Sequence, residues 1–317
     1  MEHVTAVVLI LAMTCSFAVA GEKKSEPVPR RFVIDGDWWN VAGNPDLGHL
    51  TGEKQQPVDF GVWQAADGTW QLWSCIRHTK EPGKTRLFYG WEGRRLTDTD
   101  WKPMGIKMRS DALVGEPAGG LQAPYVLRVG DVWHLFYGNY QDICLATSRD
   151  GKVFERHLTG GLAGLFTEGP HAITRDPMVL RVGGRWHIYY CAHPQGKGGI
   201  WCRTSEDLIH WSGPTLVARG GQAGKRWWNF ECPHVVHLDG YFYLLHTQRY
   251  TPDPQSSVYR SRDPMAFGVD DDSKFIGHLP VAAPELVLHE GQWYVAALKP
   301  GLDGIRIARL QWVEDKR

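Results

Sequence analysis

The chain has 317 residues, with 35 Lys plus Arg against 35 Asp plus Glu, so its formal net charge is zero. That balance argues against a nucleic-acid or membrane-surface partner held through bulk charge, and a neutral partner fits better. No Ser/Gly-rich linker or charge run divides the sequence, so the length reads as one all-β domain instead of two average ones.

Val7 to Ala20 is apolar and ends in Ala18-Val19-Ala20, a small-x-small cleavage signature, although Glu2 and His3 give a weak n-region without Lys or Arg. This predicts a signal peptide over residues 1–20, cut before Gly21, and a secreted or periplasmic mature chain over residues 21–317. The apolar segment is short for a membrane span and nothing later resembles one, so no membrane insertion is expected. Arg31 to Ile34 follows as an apolar strand candidate that could close a ring of sheets.

From there one pattern returns five times: Gly61 to Trp73, Pro124 to Tyr137, Pro177 to Tyr190, Pro233 to Leu245 and Pro284 to Val295. Each copy starts on a small residue or Pro, passes through apolar residues to a Gly-containing turn, and resumes nine residues on with Trp70, Trp133, Trp186, Phe242 or Trp293. β-Branched and aromatic runs around such turns predict hairpins. A third strand is expected at Leu87 to Tyr89, Ile143 to Thr147, Ile200 to Arg203, Val258 to Arg260 and Ile305 to Leu310. Three of these lead into Asp- and Ser-containing turns at Ser148 to Gly151, Ser205 to Asp207 and Ser261 to Pro264, where side chains can bond local amides. About four short strands repeated at a period near fifty residues predict a five-bladed β-propeller; a β-sandwich, the rival all-β fold, does not require one internal period.

Removal of the leader leaves Cys75, Cys144, Cys191, Cys202 and Cys232, an odd number with at least one thiol unpaired; Cys191–Cys202 is the candidate bridge across one hairpin. No CxxC pair appears, a zinc site has little support, and no cofactor is expected.

In a propeller the inner strands line the axis, so residues at equivalent strand ends meet at one mouth. Just before the shared start stand Asp59-Phe60, Gln122-Ala123, Arg175-Asp176, Glu231-Cys232 and Ala282-Ala283. In this frame Asp59 and Glu231 lie two places before the start and Asp176 one place before it, so either a bulge corrects the facing of Asp176 or it plays a different part. Three acids at one end of three repeats suit glycosidic bond cleavage, which needs one carboxyl to protonate the leaving oxygen and another to attack the anomeric carbon or activate water. No Gly-x-Ser-x-Gly elbow supports serine hydrolysis.

Arg175-Asp176-Pro177 and Glu231-Cys232-Pro233 resemble motifs of the five-bladed propeller glycosidases of families 32, 43, 68 and 117, family 32 most directly. By this resemblance Asp59 would be nucleophile or base, Asp176 a transition-state stabiliser with Arg175 holding substrate hydroxyls, and Glu231 the proton donor. Val58-Asp59-Phe60-Gly61-Val62 departs from the family's Asn-Asp-Pro-Asn-Gly string, and Asp35 and Asp37 are rival candidates for the first acid. The propeller-only length looks more like family 43, and retention or inversion stays open.

Gln122 shares the repeat position of Glu231 and is a candidate for substrate binding, as are Trp228 as a sugar platform, Asn229 and the rim residue His171. Glu168-Gly169-Pro170-His171 resembles an acid motif of some family 43 members but precedes the third copy by several residues, which makes Glu168 a rim residue. His193, His234 and His246 are candidates for lining the channel. The reading is a secreted glycoside hydrolase acting on an oligo- or polysaccharide; the alternatives are a sugar-binding propeller without turnover, a protein-interaction scaffold and, more weakly, a sialidase. The oligomeric state is left open.

Overall fold

A computed structural model describes residues 28–224 and 226–316, and the expected leader lies outside the described residues. The first strand, β1 (Arg30–Gly43), runs from the start of this region to the last sheet. Blade 1 follows as β2 (Gln56–Gln64), β3 (Trp70–Arg77), β4 (Leu87–Gly93) and β5 (Lys102–Met108), in that spatial order. Blade 2 contains β6 (Gln122–Val129), β7 (Val132–Gly138) and β8 (Ile143–Ser148), with short β9 (Glu155–Arg156) and β10 (Gly164–Phe166) on the outer side of β8. Blade 3 is β11 (Arg175–Val182), β12 (Arg185–Ala192), β13 (Gly199–Ser205) and β14 (Thr215–Arg219). Blade 4 is β15 (Glu231–Leu238), β16 (Tyr241–Arg249) and β17 (Gln255–Ser261); β18 (Gly268–Val269) crosses to β14 before β19 (Phe275–Leu279) completes the sheet. Blade 5 is β20 (Glu285–His289), β21 (Gln292–Leu298) and β22 (Gly304–Glu314), whose outer edge pairs antiparallel with β1.

This is the expected five-bladed propeller, and the stretch Arg31 to Ile34 is part of the strand that closes it. Each expected third strand lies within β4, β8, β13, β17 or β22. The Asp-containing turns form as their chemistry requires: Ser148 Oγ accepts from the Gly151 amide at 2.8 Å, and Asp150 Oδ1 accepts from the amides of Lys152 and Val153. Polar atoms of large aromatics stitch neighbouring blades. The Trp63 indole donates to Gly151 O, Tyr125 Oη to Val179 O and Tyr189 Oη to Pro264 O, while Tyr243 Oη accepts from the Arg30 amide. Their rings supply apolar area, and these bonds keep the buried ends from costing stability.

One backbone device recurs at the mouth. Asp59, Ala123, Asp176, Cys232 and Ala283 all have left-handed backbone, with φ of 35°, 43°, 56°, 49° and 48°. Pairing breaks register at four of them, between Val58 and Phe60, Gln122 and Tyr125, Arg175 and Met178, and Glu231 and His234. These are bulges, which re-aim side chains next to a site. They correct the repeat frame: Phe60 occupies the place of Pro124, Pro177, Pro233 and Pro284. Asp59 is therefore equivalent to Asp176 and Cys232, whereas Glu231 is equivalent to Arg175 and Gln122. Gly61 follows because a Cβ there would stand 2.6 Å from the Pro124 carbonyl oxygen, a measure of how tightly β2 and β6 approach.

The five cysteines among the described residues are free. Cys191 faces Ile200 across the hairpin and Cys202 faces Tyr189, two pairs apart, so the register does not bring the candidate bridge together.

Candidate active site

The bulges bring the side chains of Asp59, Asp176 and Cys232 to one narrow cavity on the axis, where Ala123 and Ala283 occupy the equivalent places in blades 2 and 5 and leave room. Tyr250, just beyond β16, donates its hydroxyl to Asp59 Oδ1 at 2.8 Å, and Cys232 Sγ donates to the same oxygen at 3.2 Å. Asp176 Oδ2 accepts from Cys191 Sγ at 2.7 Å and from the Cys232 amide at 3.1 Å. Asp176 is buried, and its Oδ1 has no partner among the described residues.

Arg175 joins the acids. Its Nη2 donates to Glu231 Oε1, its Nε lies 3.7 Å from Asp176 Oδ2, and its Nη1 donates to Ile173 O at 3.0 Å. Only 4% of the Arg175 side chain is exposed, against 15% for Glu231, so the glutamate reaches toward the mouth from a buried cation.

Burial is the main cause that pushes the Asp176 carboxyl up to about 7; Arg175 opposes this, and the neighbouring Asp59 and Glu231 carboxylates reinforce it. Burial also raises the Cys191 and Cys232 thiols and the Tyr250 hydroxyl well above their ordinary ranges. Near neutrality these groups therefore keep their protons and remain donors to the two aspartates.

Other sequence candidates fall around this centre. Gln122 is buried, and its Oε1 has no partner among the described residues. Trp227 and Trp228 are about 40% exposed on the turn leading into Glu231. Trp227 packs on His193 at 5.1 Å and under the Arg175 guanidinium at 5.5 Å, while Trp228 meets Trp227 edge-on. Asn229 is engaged by backbone groups: its Oδ1 accepts from the Arg226 amide in its own loop and its Nδ2 donates to Gln248 O on β16. His171 lines a separate rim pocket of about 480 Å³ with Lys84, Tyr140, Asp142 and Thr167.

Several candidates lie elsewhere. Glu168 is tied to Arg203 at 2.7 Å and to the Tyr190 hydroxyl, with 7% of its side chain exposed, so its carboxylate is committed to a structural pair. Asp35 and Asp37 sit on β1, the outermost strand of blade 5, away from the axis. His246 is buried inside blade 4, stacked on Phe230 and Tyr259, whereas His234 stays near the centre, 3.4 Å from Glu285, which borders the axial cavity. The repeat pattern in the sequence assigns no site role to Cys232, Cys191 or Tyr250. Cys232 becomes visible once Phe60 is aligned with the prolines, whereas nothing local in sequence points to Tyr250.

No family model matches the sequence. A sucrose-6-phosphate hydrolase of Escherichia coli is 31% identical over 127 residues, 38% of this chain and 25% of its own. A probable sucrose-6-phosphate hydrolase of Vibrio cholerae is 25% identical over 166 residues, 49% of this chain and 27% of its own. The chain thus spans about a quarter of the length of these curated relatives. Among solved structures, a thermostable family-43 glycoside hydrolase superposes with a TM-score of 0.61 at 16% identity, covering 87% of this chain and 94% of that one. A Bombyx mori family 32 β-fructofuranosidase gives 0.60 at 17% identity, covering 86% and 61%. At such identities the likeness concerns the fold, and the expected resemblance to five-bladed propellers of the family 32 and 43 type holds.

Proposed function

We propose that this chain is a secreted or periplasmic glycoside hydrolase acting on an oligo- or polysaccharide, with Asp59 as nucleophile or base, Asp176 as transition-state stabiliser and Glu231 as proton donor. One observation carries the reading: carboxylates from blades 1, 3 and 4 gather with a buried arginine at one mouth. Asp59, held by two donors on one oxygen, is oriented for attack or for activating water. A sugar hydroxyl competing for Arg175 would loosen its hold on Glu231 and leave that carboxyl to protonate the departing oxygen. Trp228 offers a face for a sugar ring, and Gln122 an uncommitted amide oxygen.

The similarity to a sucrose-6-phosphate hydrolase and to the fold of a β-fructofuranosidase supports a saccharide substrate. Glu231→Gln should lower hydrolysis by about 10²- to 10⁴-fold while leaving the circular dichroism of the folded protein unchanged. Undiminished turnover by that variant would remove Glu231 from its role. The anomer of the first product, read by NMR, separates retention from inversion. A second reading, a sugar-binding propeller without turnover, is favoured by the ion pair that engages Glu231; binding by the wild type with no product across a glycan panel would select it.

A further inference from the structure

The donor atoms of Asp59, Asp176 and Cys232 all lie within 4.8 Å of one another. Cys232 Sγ is 3.2 Å from Asp59 Oδ1 and 3.9 Å from Asp176 Oδ2. Two ligands of a tetrahedral zinc-sized ion, one sulfur at about 2.3 Å and one oxygen at about 2.1 Å, stand roughly 3.6 Å apart. The two observed sulfur–oxygen separations bracket that value. A second observation points the same way: Asp176 is 3% exposed, yet its Oδ1 is buried without a partner among the described residues. The innermost part of the cavity these residues share is about 10 Å³, room for one water-sized particle.

We propose that Asp59, Asp176 and Cys232 form a binding site for one soft divalent cation of the Zn²⁺ or Cd²⁺ class, and that the bound ion blocks the mouth. The sulfur sets the class, because Mg²⁺ and Ca²⁺ take oxygen shells whereas zinc accepts thiolate, imidazole and carboxylate together. Tyr250 Oη, 2.8 Å from Asp59 Oδ1 and 3.2 Å from Cys232 Sγ, stands beside two of the three ligands. On binding, the Cys232 S–H bond breaks, a sulfur–metal bond forms and the proton leaves to solvent; a proton on Asp176 leaves as well. Two carboxylates and a thiolate then surround the cation, with Arg175 and Glu231 flanking them and the Cys191 thiol still bonded to Asp176. Each ligand comes from a different blade, so no local spacing motif announces the site.

Binding does not depend on the hydrolytic reading; inhibition does. The test is titration of the purified full chain with Cd²⁺, read by the ultraviolet thiolate-to-cadmium charge-transfer absorption. One equivalent should generate the band, Zn²⁺ should displace it, and Mg²⁺ or Ca²⁺ should not. Cys232→Ala should abolish the band, and Asp59→Asn should weaken Cd²⁺ binding at least tenfold while retaining it, which decides the matter even if the alanine variant fails to fold. A folded wild type without the band, a band that persists in Cys232→Ala, or unchanged affinity in Asp59→Asn would each overturn the site. If hydrolysis is found, its loss should follow the band in proportion; full turnover at a saturated band would overturn the blockade alone.

Discussion

Asp176 makes the sharpest residue-scale statement about pH. Its carboxyl moves from an ordinary 3.8 to about 7 on folding, chiefly through burial. Between about pH 4 and pH 7 the folded protein therefore holds a proton that the unfolded chain has lost, so this group makes stability fall as pH rises across that window. Above about pH 7 the whole cost of a buried ionised carboxylate is present. Asp176→Asn cannot ionise, so its stability relative to wild type should improve between pH 4 and pH 8 in urea unfolding. An equal offset at both pH values would contradict a buried titrating carboxyl at this position. Asp59, Asp176, Glu231 and Arg175 were legible in the sequence because repeat alignment gathers strand ends. Their relative facing was not, since a bulge changes which neighbours share a direction and leaves no residue-type signature when its left-handed position can be Asp, Ala or Cys. Tyr250 was illegible for another reason: it reaches Asp59 across 191 residues from the connection between β16 and β17, whose sequence differs from that of its counterparts in the other blades.

At the scale of elements, the inner strands and β1 do different work. The inner strands deliver functional groups, and their bulges put one side chain per blade toward the axis. The fivefold hairpin pattern made these elements readable, because aromatic and β-branched runs around glycine turns specify strand, turn and strand with little help from the rest of the chain. The parallel excursion of β18 onto blade 3 was not readable, being two residues long and held by two pairs. On β1, Phe32 is 7% exposed and packs edge-on against Trp312 at 5.1 Å and near Tyr243 at 6.4 Å. Phe32→Ala should cost about 3 kcal/mol, the low end for a buried aromatic because an edge strand can partly relax. Denaturant unfolding checks it; a loss below about 1 kcal/mol would mean that β1 contributes little to ring closure.

At the scale of the whole molecule, zero net charge and a buried arginine among the acids leave little long-range field to gather a charged ligand. For a neutral glycan, KM should change less than about twofold between 0.05 and 0.5 M salt, a range over which steered association of charged partners weakens steeply. A strong salt dependence, measured by initial rates, would point to an anionic substrate instead.

The fifth sheet is assembled from both extremes of the described chain, with β1 lying along β22. During synthesis, blades 1 to 4 can form in order as they emerge, but β1 must wait unpaired until the last strand is made. The hollow holding Asp59 and Asp176 is bounded on one side by Ala283 and Glu285, which belong to this late-made sheet. A ribosome stalled before residue 304 would carry a ring whose fifth sheet lacks β22 and, with it, the partner of β1.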